Sequence, residues 1–462
     1  KISQNHKLNL INLKIKMINF KKHKEFRKRL KSAIKKGTLG LIDIGSSKIV
    51  CIIIKFSKID NNSKKLDQIN ETNSFAYRVV GAATKKSIGI KKGEIIIAEE
   101  VEKTIRLVIQ QSQKMAASII DEVVVTFSGG SPISKNLYQD IRLENQSVSS
   151  NDISILLSKY AFQTHSEQRE ILHAMPINFS LDEKTGLTDP RGLSGQILGL
   201  DINLITIQKN IIENIDQCLR NCQLNLAGIF YSPYISAKSS LVEDELKLGA
   251  TCVDMGFGTT GISIFYNHQM VFASNIRFGG ANITSDIMQA FQISFNEAER
   301  IKTLHGGLII TNLDDNELIE LSFADENKAY YNYERPFISR SELISVIRPR
   351  FEEILEEIQF SLEKTGLEHL LSKRIVFTGG GSQMPGLYEL ASEYFGSRVR
   401  IGRPMRVQGL PQALQGSQFS AIIGLAIEIN NLQDEVWDFD IPNSLGPGQK
   451  IKSVVNWFKD NW

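Results

Sequence analysis

The stretch "VDMGFGTTGISIF", Val253 to Phe265, carries glycines at 256, 258 and 261, the G-x-G-x-x-G spacing of a dinucleotide-binding loop. That loop needs a strand before the glycines, a helix after them and an acid about 20 residues further on. Here Ile262, Ile264 and Tyr266 alternate with Ser263 and Phe265, and Asn267-His268 make the next turn. Period two predicts a strand, and the first acid beyond the motif is Asp286, too far for a ribose contact. No G-K-S or G-K-T occurs, so a Walker loop is excluded as well. What remains is a glycine turn between two strands. Its successive N–H groups make a positive concavity for an anion, and neighbouring hydroxyls add donors.

The same pattern occurs earlier. "GTLGLIDIGSSKIVCIIIKF" also runs strand, Asp-x-Gly, a small-residue turn and strand. Asp43 and Asp254 head the two copies, 211 residues apart, so the chain is expected to form two similar lobes, each opening with a β-hairpin. An Asp at the mouth of such a turn suits Mg²⁺ held through its waters. Two hairpins facing each other would clasp the phosphates of one nucleotide in a cleft between the lobes. A third loop, Gly379-Gly380-Gly381-Ser382, lies between a predicted strand and helix, where it suits a base or ribose. Each hairpin alone is mostly turn chemistry; the order of all three makes the signal specific.

The remaining pattern is α/β. Helices are predicted over 99–116, 151–168 and from "SFNEAERIKTLHGG", with Ser294 and Glu297 as a capping box. "SRSELISVIRPRFEEILEEIQFSLEKTG" reads as a long amphipathic helix, with a box at Ser339/Glu342 and an apolar stripe of Ile344, Ile347, Phe351, Ile354, Ile358 and Leu362. At 42% hydrophobic and 23% charged, the composition is that of a globular chain, and no apolar run approaches the ~18–20 residues of a membrane span. Cys51, Cys218, Cys222 and Cys252 sit among apolar neighbours, which points to a reducing compartment.

Charge is unevenly spread. Of 54 basic and 51 acidic residues, 13 basic and one acidic, Glu25, fall in residues 1–36. Such an arm suits an anionic partner, phospholipid or nucleic acid, or is a solvated tail. The first methionine is Met17, so part of the arm is expected to lie outside the native protein. At the other end, "KIKSVVNWFKDNW" follows the Gly/Pro break "NSLGPGQ". Ile451, Val454, Val455, Phe458 and Trp462 share one helical face, flanked by Trp457, with lysines opposite. A helix about 20 Å long is too short to span a bilayer but suits its interface, a better fit than docking on its own domain.

"LIDIGSSK", "CVDMGFGTTGISIF" and "VFTGGGSQMPGL" resemble the phosphate-one, phosphate-two and adenosine motifs of the actin-like ATPases. More narrowly, the chain resembles the FtsA family of bacterial cell-division proteins, with further matches at "ILHAMPINFSLD", "GLSGQILGLDINLIT", "GGANITSDI", "NEAERIKTLHG" and "RIGRP". The resemblance covers roughly residues 38–428 plus the tail. It implies an actin-like two-lobed fold with an interlobe nucleotide cleft and an inserted 1C-type subdomain. The implied units are a basic extension (1–37), subdomain 1A (38–89), the inserted 1C (90–189), the passage between lobes (190–248), subdomain 2A (249–279), 2B (280–345), the return through 2A to 1A (346–429), a linker (430–448) and the membrane-targeting helix (449–462).

The resemblance also implies ATP and Mg²⁺ as ligands. Asp43 and Asp254 would face the metal and its waters. Gly45, Ser46, Ser47 and Lys48 would form one phosphate loop, and Gly256, Gly258, Thr259 and Thr260 the other. Glu299 and Lys302 would meet ribose and base, with a solvated ion pair as the plain alternative, and Gly380, Gly381, Ser382 and Met384 would border adenosine. Phe257 stands where many relatives carry glycine, which puts the second loop's geometry in question. No catalytic base has a motif context, and the resemblance implies at most weak ATPase activity. The implied partners are the C-terminal peptide of FtsZ at Arg350, further copies of the chain in a filament, other division proteins and an anionic phospholipid membrane, but no nucleic acid. The implied place is the cytoplasmic face of the cell membrane at the septum, as a peripheral protein. A pilus-assembly adaptor or sugar-kinase-like enzyme of the same fold is the alternative.

Overall fold

The computed structural model describes residues 22–58, 75–144, 147–161, 168–322, 337–367, 374–430, 432 and 435. Two five-stranded sheets dominate. The first uses β1 (Thr38–Ile44), β2 (Lys48–Lys58), β3 (Phe75–Lys86), β6 (Glu122–Phe127) and β11 (Asn225–Tyr231), in the order β11-β6-β1-β2-β3. The second uses β12 (Ala250–Met255), β13 (Thr260–Tyr266), β14 (Gln269–Ile276), β17 (Ile375–Thr378) and β18 (Val399–Ile401), in the order β14-β13-β12-β17-β18. In both, three antiparallel strands are followed by two parallel ones. The strand predicted after Gly261 is present, and Asn267 and His268 turn with positive φ.

The duplication goes deeper than the hairpins. Asp43 lies beside Thr126 on the adjoining parallel strand, as Asp254 lies beside Thr378. The Thr126 hydroxyl is 3.0 Å from that of Ser232, first residue of α5 (Ser232–Ser240). The Thr378 hydroxyl is 2.6 Å from that of Ser420, first residue of the closing helix Ser420–Asn430. Strands such as β1 and β13 are buried on both faces, which is why they read as unbroken apolar runs. Gly261 serves packing: a Cβ there would come 2.0 Å from Pro233 Cγ at the start of α5.

A four-stranded sheet is inserted between β6 and β11: β7 (Ile133–Arg142), β8 (Arg169–Leu181), β9 (Lys184–Leu187) and β10 (Ile197–Gln208), ordered β7-β10-β8-β9. Its core includes Leu156 and Leu157 of α3 (Ser150–Ala161). The expected insertion at 90–189 is displaced. Helix α2 (Ala98–Ala116) packs Val101, Ile105 and Val108 into the first-lobe core and β6 belongs to the first sheet, whereas β10 runs beyond 189. "EVVVTF" is as apolar as any core strand, and hydrophobicity does not say which sheet a strand joins. Asn203 of β10, fully buried, donates to the Val271 carbonyl of β14 at 3.1 Å, so the insertion also covers the outer strand of the second sheet.

Residues 22–36 depart from the picture of a solvated arm. They form helix α1, with Phe26, Leu30 and Ala33 in the first-lobe core. The periodicity is overshadowed in the sequence by the surrounding lysines. The helix is pinned by Lys22 to Glu170 at 3.2 Å, His23 to the Ile171 carbonyl at 2.9 Å and Arg29 to the Leu226 carbonyl at 3.2 Å.

In the second lobe, α7 (Gly280–Phe291) and α8 (Phe295–His305) precede the long helix Arg340–Glu363, whose predicted apolar stripe is buried and whose capping box is complete. The box expected at Ser294 is half formed. Ser294 accepts from the Glu297 N–H at 3.2 Å, but the Glu297 carboxylate is taken by Arg300 and the Ser322 N–H. Among the described residues, no helix is long and apolar enough to cross a membrane.

Candidate functional site

The turns that join β1 to β2 and β12 to β13 face each other across a cleft of about 480 Å³ between the lobes. They close identically: the Gly45 N–H donates to the Lys48 carbonyl at 3.1 Å and the Gly256 N–H to the Thr259 carbonyl at 2.9 Å. Among the described residues, the intervening N–H groups of Ser46, Ser47, Phe257 and Gly258 find no acceptor. They are donors left for a ligand. Gly258 allows the close approach of the lobes, since a Cβ would meet Ser46 Oγ at 2.5 Å and Lys92 Cα at 3.0 Å.

Asp43 and Asp254 both line this cleft. Burial, and then the charge of Asp254, pushes the Asp43 carboxyl up to about 7 against the opposing pull of Lys48. Burial raises Asp254 to about 6, although the Ser236 hydroxyl donates to it at 2.6 Å and Lys48 draws it down. Burial likewise lowers Lys48 to about 8, with both carboxylates acting against the fall. Its ammonium rests 4.0 Å from the centroid of the Phe419 ring. Two carboxylates costly to ionise together, beside unbonded N–H groups, suit a hydrated divalent ion that bridges to phosphate. No group of three or more His, Cys, Asp or Glu side chains among the described residues is placed to hold a metal directly.

Of the residues singled out in the sequence, Gly45, Ser46, Ser47, Lys48, Gly256, Gly258, Thr259, Glu299, Lys302, Gly380, Gly381 and Met384 join the two aspartates around the cleft. Thr260 and Ser382 do not. The Thr260 hydroxyl donates to the Phe278 carbonyl at 2.9 Å, tying down the segment before α7, and Ser382 donates to the Gly379 carbonyl at 2.8 Å within its own turn. Both lie where strand or 3-10 geometry turns the side chain away, a direction that a motif does not reveal.

The solvated ion-pair reading of Glu299 and Lys302 fails. Lys302 is 8% exposed and donates to Glu299 at 2.6 Å, Thr284 Oγ at 2.8 Å and the Gly280 carbonyl at 3.1 Å. Phe257 settles its own question: its φ is not positive, so the turn does not require glycine there. Its ring lies 5.4 Å from Lys302 Nζ and edge-on to Phe295, and its carbonyl accepts from the Ala281 N–H at 2.7 Å. Sequence reading missed Phe257 as a cleft wall, and missed Ser128, whose hydroxyl accepts from Thr259 at 3.1 Å. The available signal was "SGG" directly after β6, the counterpart of "GGGS" after β17.

Arg350 is engaged within the chain. Its Nε and Nη2 reach Asp286 at 2.6 and 3.0 Å, and Nη1 pairs with Glu353. Ile451, Val454, Val455, Trp457, Phe458 and Trp462, expected from the sequence to face a membrane, lie outside the described residues.

A duplicated sheet-and-helix lobe, closed around a cleft with paired Asp-headed turns, is the actin-like ATPase fold. Two solved structures agree at the level of fold. A PilM-PilN type IV pilus biogenesis complex matches with a TM-score of 0.56 at 14% identity, covering 84% of this chain and 97% of that one. MreB5 of Spiroplasma citri bound to ADP gives 0.50 at 14%, covering 85% and 96%. Family models for "Cell division protein FtsA" and for "SHS2 domain inserted in FTSA" match residues 251–424 and 129–206, the latter falling on the inserted sheet. The cell division protein FtsA of Rhizobium meliloti (strain 1021) is 32% identical over 92% of this chain and 95% of its own length. The chain belongs to the FtsA family of cell-division proteins.

Proposed function

We propose that the chain binds ATP with Mg²⁺ between its lobes, assembles into filaments and tethers FtsZ to the cytoplasmic face of the cell membrane at the septum. The observation that carries the nucleotide reading is the meeting of both Asp-headed turns, with unbonded N–H groups, on one cleft. Ser46, Ser47, Phe257 and Gly258 would donate to phosphate oxygens, with Lys48 adding charge. Asp43 and Asp254 would hold the hydrated metal ion, which neutralises phosphate charge when bound. Glu299 and Lys302 would face ribose and base, with Gly380, Gly381 and Met384 against adenosine. Burial of Lys302 fixes its ammonium in place, so the pair is organised before a ligand arrives.

Family membership and the amphipathic pattern of 449–462 support the tether. One short helix binds a bilayer marginally, so filaments would supply the avidity. Contact between Arg350 and an acidic FtsZ peptide would require exchange with Asp286. Other division proteins would join the assembly on the same membrane. The test is co-sedimentation with liposomes and FtsZ, with and without MgATP, comparing the full chain with one ending at Gly448. The full chain should bring FtsZ down with the liposomes and the shortened chain should not. Equal recruitment by both would end the tether reading.

A further inference from the structure

We infer that helix α1 is a second lipid-binding face, acting beside the C-terminal segment on the same anionic phospholipid surface; this rests on the tether reading above. The helix is two-sided. His23, Phe26, Leu30 and Ala33 are buried on the first lobe. Lys24, Lys28, Lys31 and Lys35 recur at i, i+4, i+7 and i+11, which at 3.6 residues per turn gathers them on the side opposite that buried stripe. Lys28, Lys31 and Lys35 are exposed and Lys24 is half-buried, and none of the four forms an ion pair among the described residues. Glu25 is the only acid on the helix, and the 21 residues before it add five lysines and no acid.

What favours a bilayer over another anionic partner is where the chain's other end leaves the body. The buried Glu435 carboxylate accepts from the Ala174 N–H at 2.8 Å and lies 3.3 Å from His173 Nδ1 and 3.5 Å from Arg27 Nη2. The stretch after the closing helix is therefore fastened to α1, and Arg27 lies within one turn of Lys24, Lys28 and Lys31. Residues 436–448 separate that fastening from the amphipathic segment 449–462. Even at full extension 13 residues reach no further than about 45 Å. A bilayer gripped by the segment is thus held close to the lysine row, as two linked sites on one surface require.

Each lysine near an anionic surface strengthens binding about fivefold, fading beyond a Debye length of about 10 Å. The test uses the full chain and a variant combining Lys24→Gln, Lys28→Gln, Lys31→Gln and Lys35→Gln. Pelleting with vesicles of about 30% phosphatidylserine and with pure phosphatidylcholine, each at about 50 and about 300 mM salt, reads the electrostatic part. The expected result is binding to the anionic vesicles weakened about tenfold or more at low salt, with a flattened salt dependence. Binding to the neutral vesicles and the melting temperature stay unchanged, because the buried face of α1 is intact. Equal anionic binding with an equal salt slope overturns the proposal and leaves the tether standing. A chain ending at Gly448 that binds neutral vesicles as well as the full chain overturns the tether instead. A wild-type preference for a DNA duplex, with no gain from phosphatidylserine, overturns the lipid assignment.

Discussion

Replacing Asp43 with asparagine removes a buried carboxyl held at about 7, whereas the same group in the unfolded chain titrates at 3.8. Between those values the folded protein keeps a proton that the unfolded chain has released. The stability it contributes is fully present below pH 3.8 and is lost as pH rises through 7. At 1.36 kcal/mol per pH unit the whole interval amounts to about 4 kcal/mol at pH 8. From pH 5 to pH 8, wild type therefore loses about 3 kcal/mol that Asp43→Asn retains. At about 2.1 cal/mol/K per residue, a chain of 462 residues moves about 1 °C per kcal/mol, so the gap in melting temperature shifts by about 3 °C. Scanning calorimetry across that pH range measures it. Adding MgATP at about 100 times its dissociation constant should lift wild type by about 2.7 kcal/mol and the variant far less. Parallel pH profiles, or equal stabilisation of both proteins by MgATP, would refute the reasoning.

Gly258→Ala places a Cβ against Ser46 Oγ and the Lys92 backbone, so it should spread the turns and weaken MgATP binding about tenfold or more in isothermal titration, with little change in melting temperature. Glu435→Ala leaves the Ala174 N–H, His173 and Arg27 facing an empty position and should cost about 3 kcal/mol in a urea titration. His23, lowered from 6.5 to about 4 mainly by burial, contributes stability that is complete above pH 6.5 and lost as pH falls through 4. That loss is about 3 kcal/mol, and His23→Leu should flatten the acid limb of the stability profile by a comparable amount.

The hairpins, the strand after Gly261 and the strand–glycine–helix at 375–395 were legible because each depends on neighbours along the chain. Alternation, Asp-x-Gly and the stripe on Arg340–Glu363 are local facts. The deeper half of the duplication was not legible. Thr126 and Ser232 are 106 residues apart, and only the paired strands bring them together. Thr260 and Ser382 failed for a related reason: a motif names a residue, whereas the backbone angle decides where its hydroxyl points. Helix α1 was hidden by composition, since its lysines dominated the reading and its three core positions became evident only once the first lobe gave them something to pack on.

The bond from Asn203 to the Val271 carbonyl also sets how the cleft can work as a mechanical part. On that side the lobes are joined through buried groups, including the Tyr231 hydroxyl donating to the Ser274 carbonyl at 3.2 Å. On the other side they meet at the exposed pair Lys86–Asn296, 3.0 Å apart, where water replaces either partner at little cost. At the floor of the cleft α5 also joins the lobes, with Ser236 donating to Asp254 at 2.6 Å and Ser263 to the Pro233 carbonyl at 2.9 Å. The insertion therefore adds a second buried seam, bracing one edge of the second sheet and leaving the Lys86–Asn296 edge the easier to part.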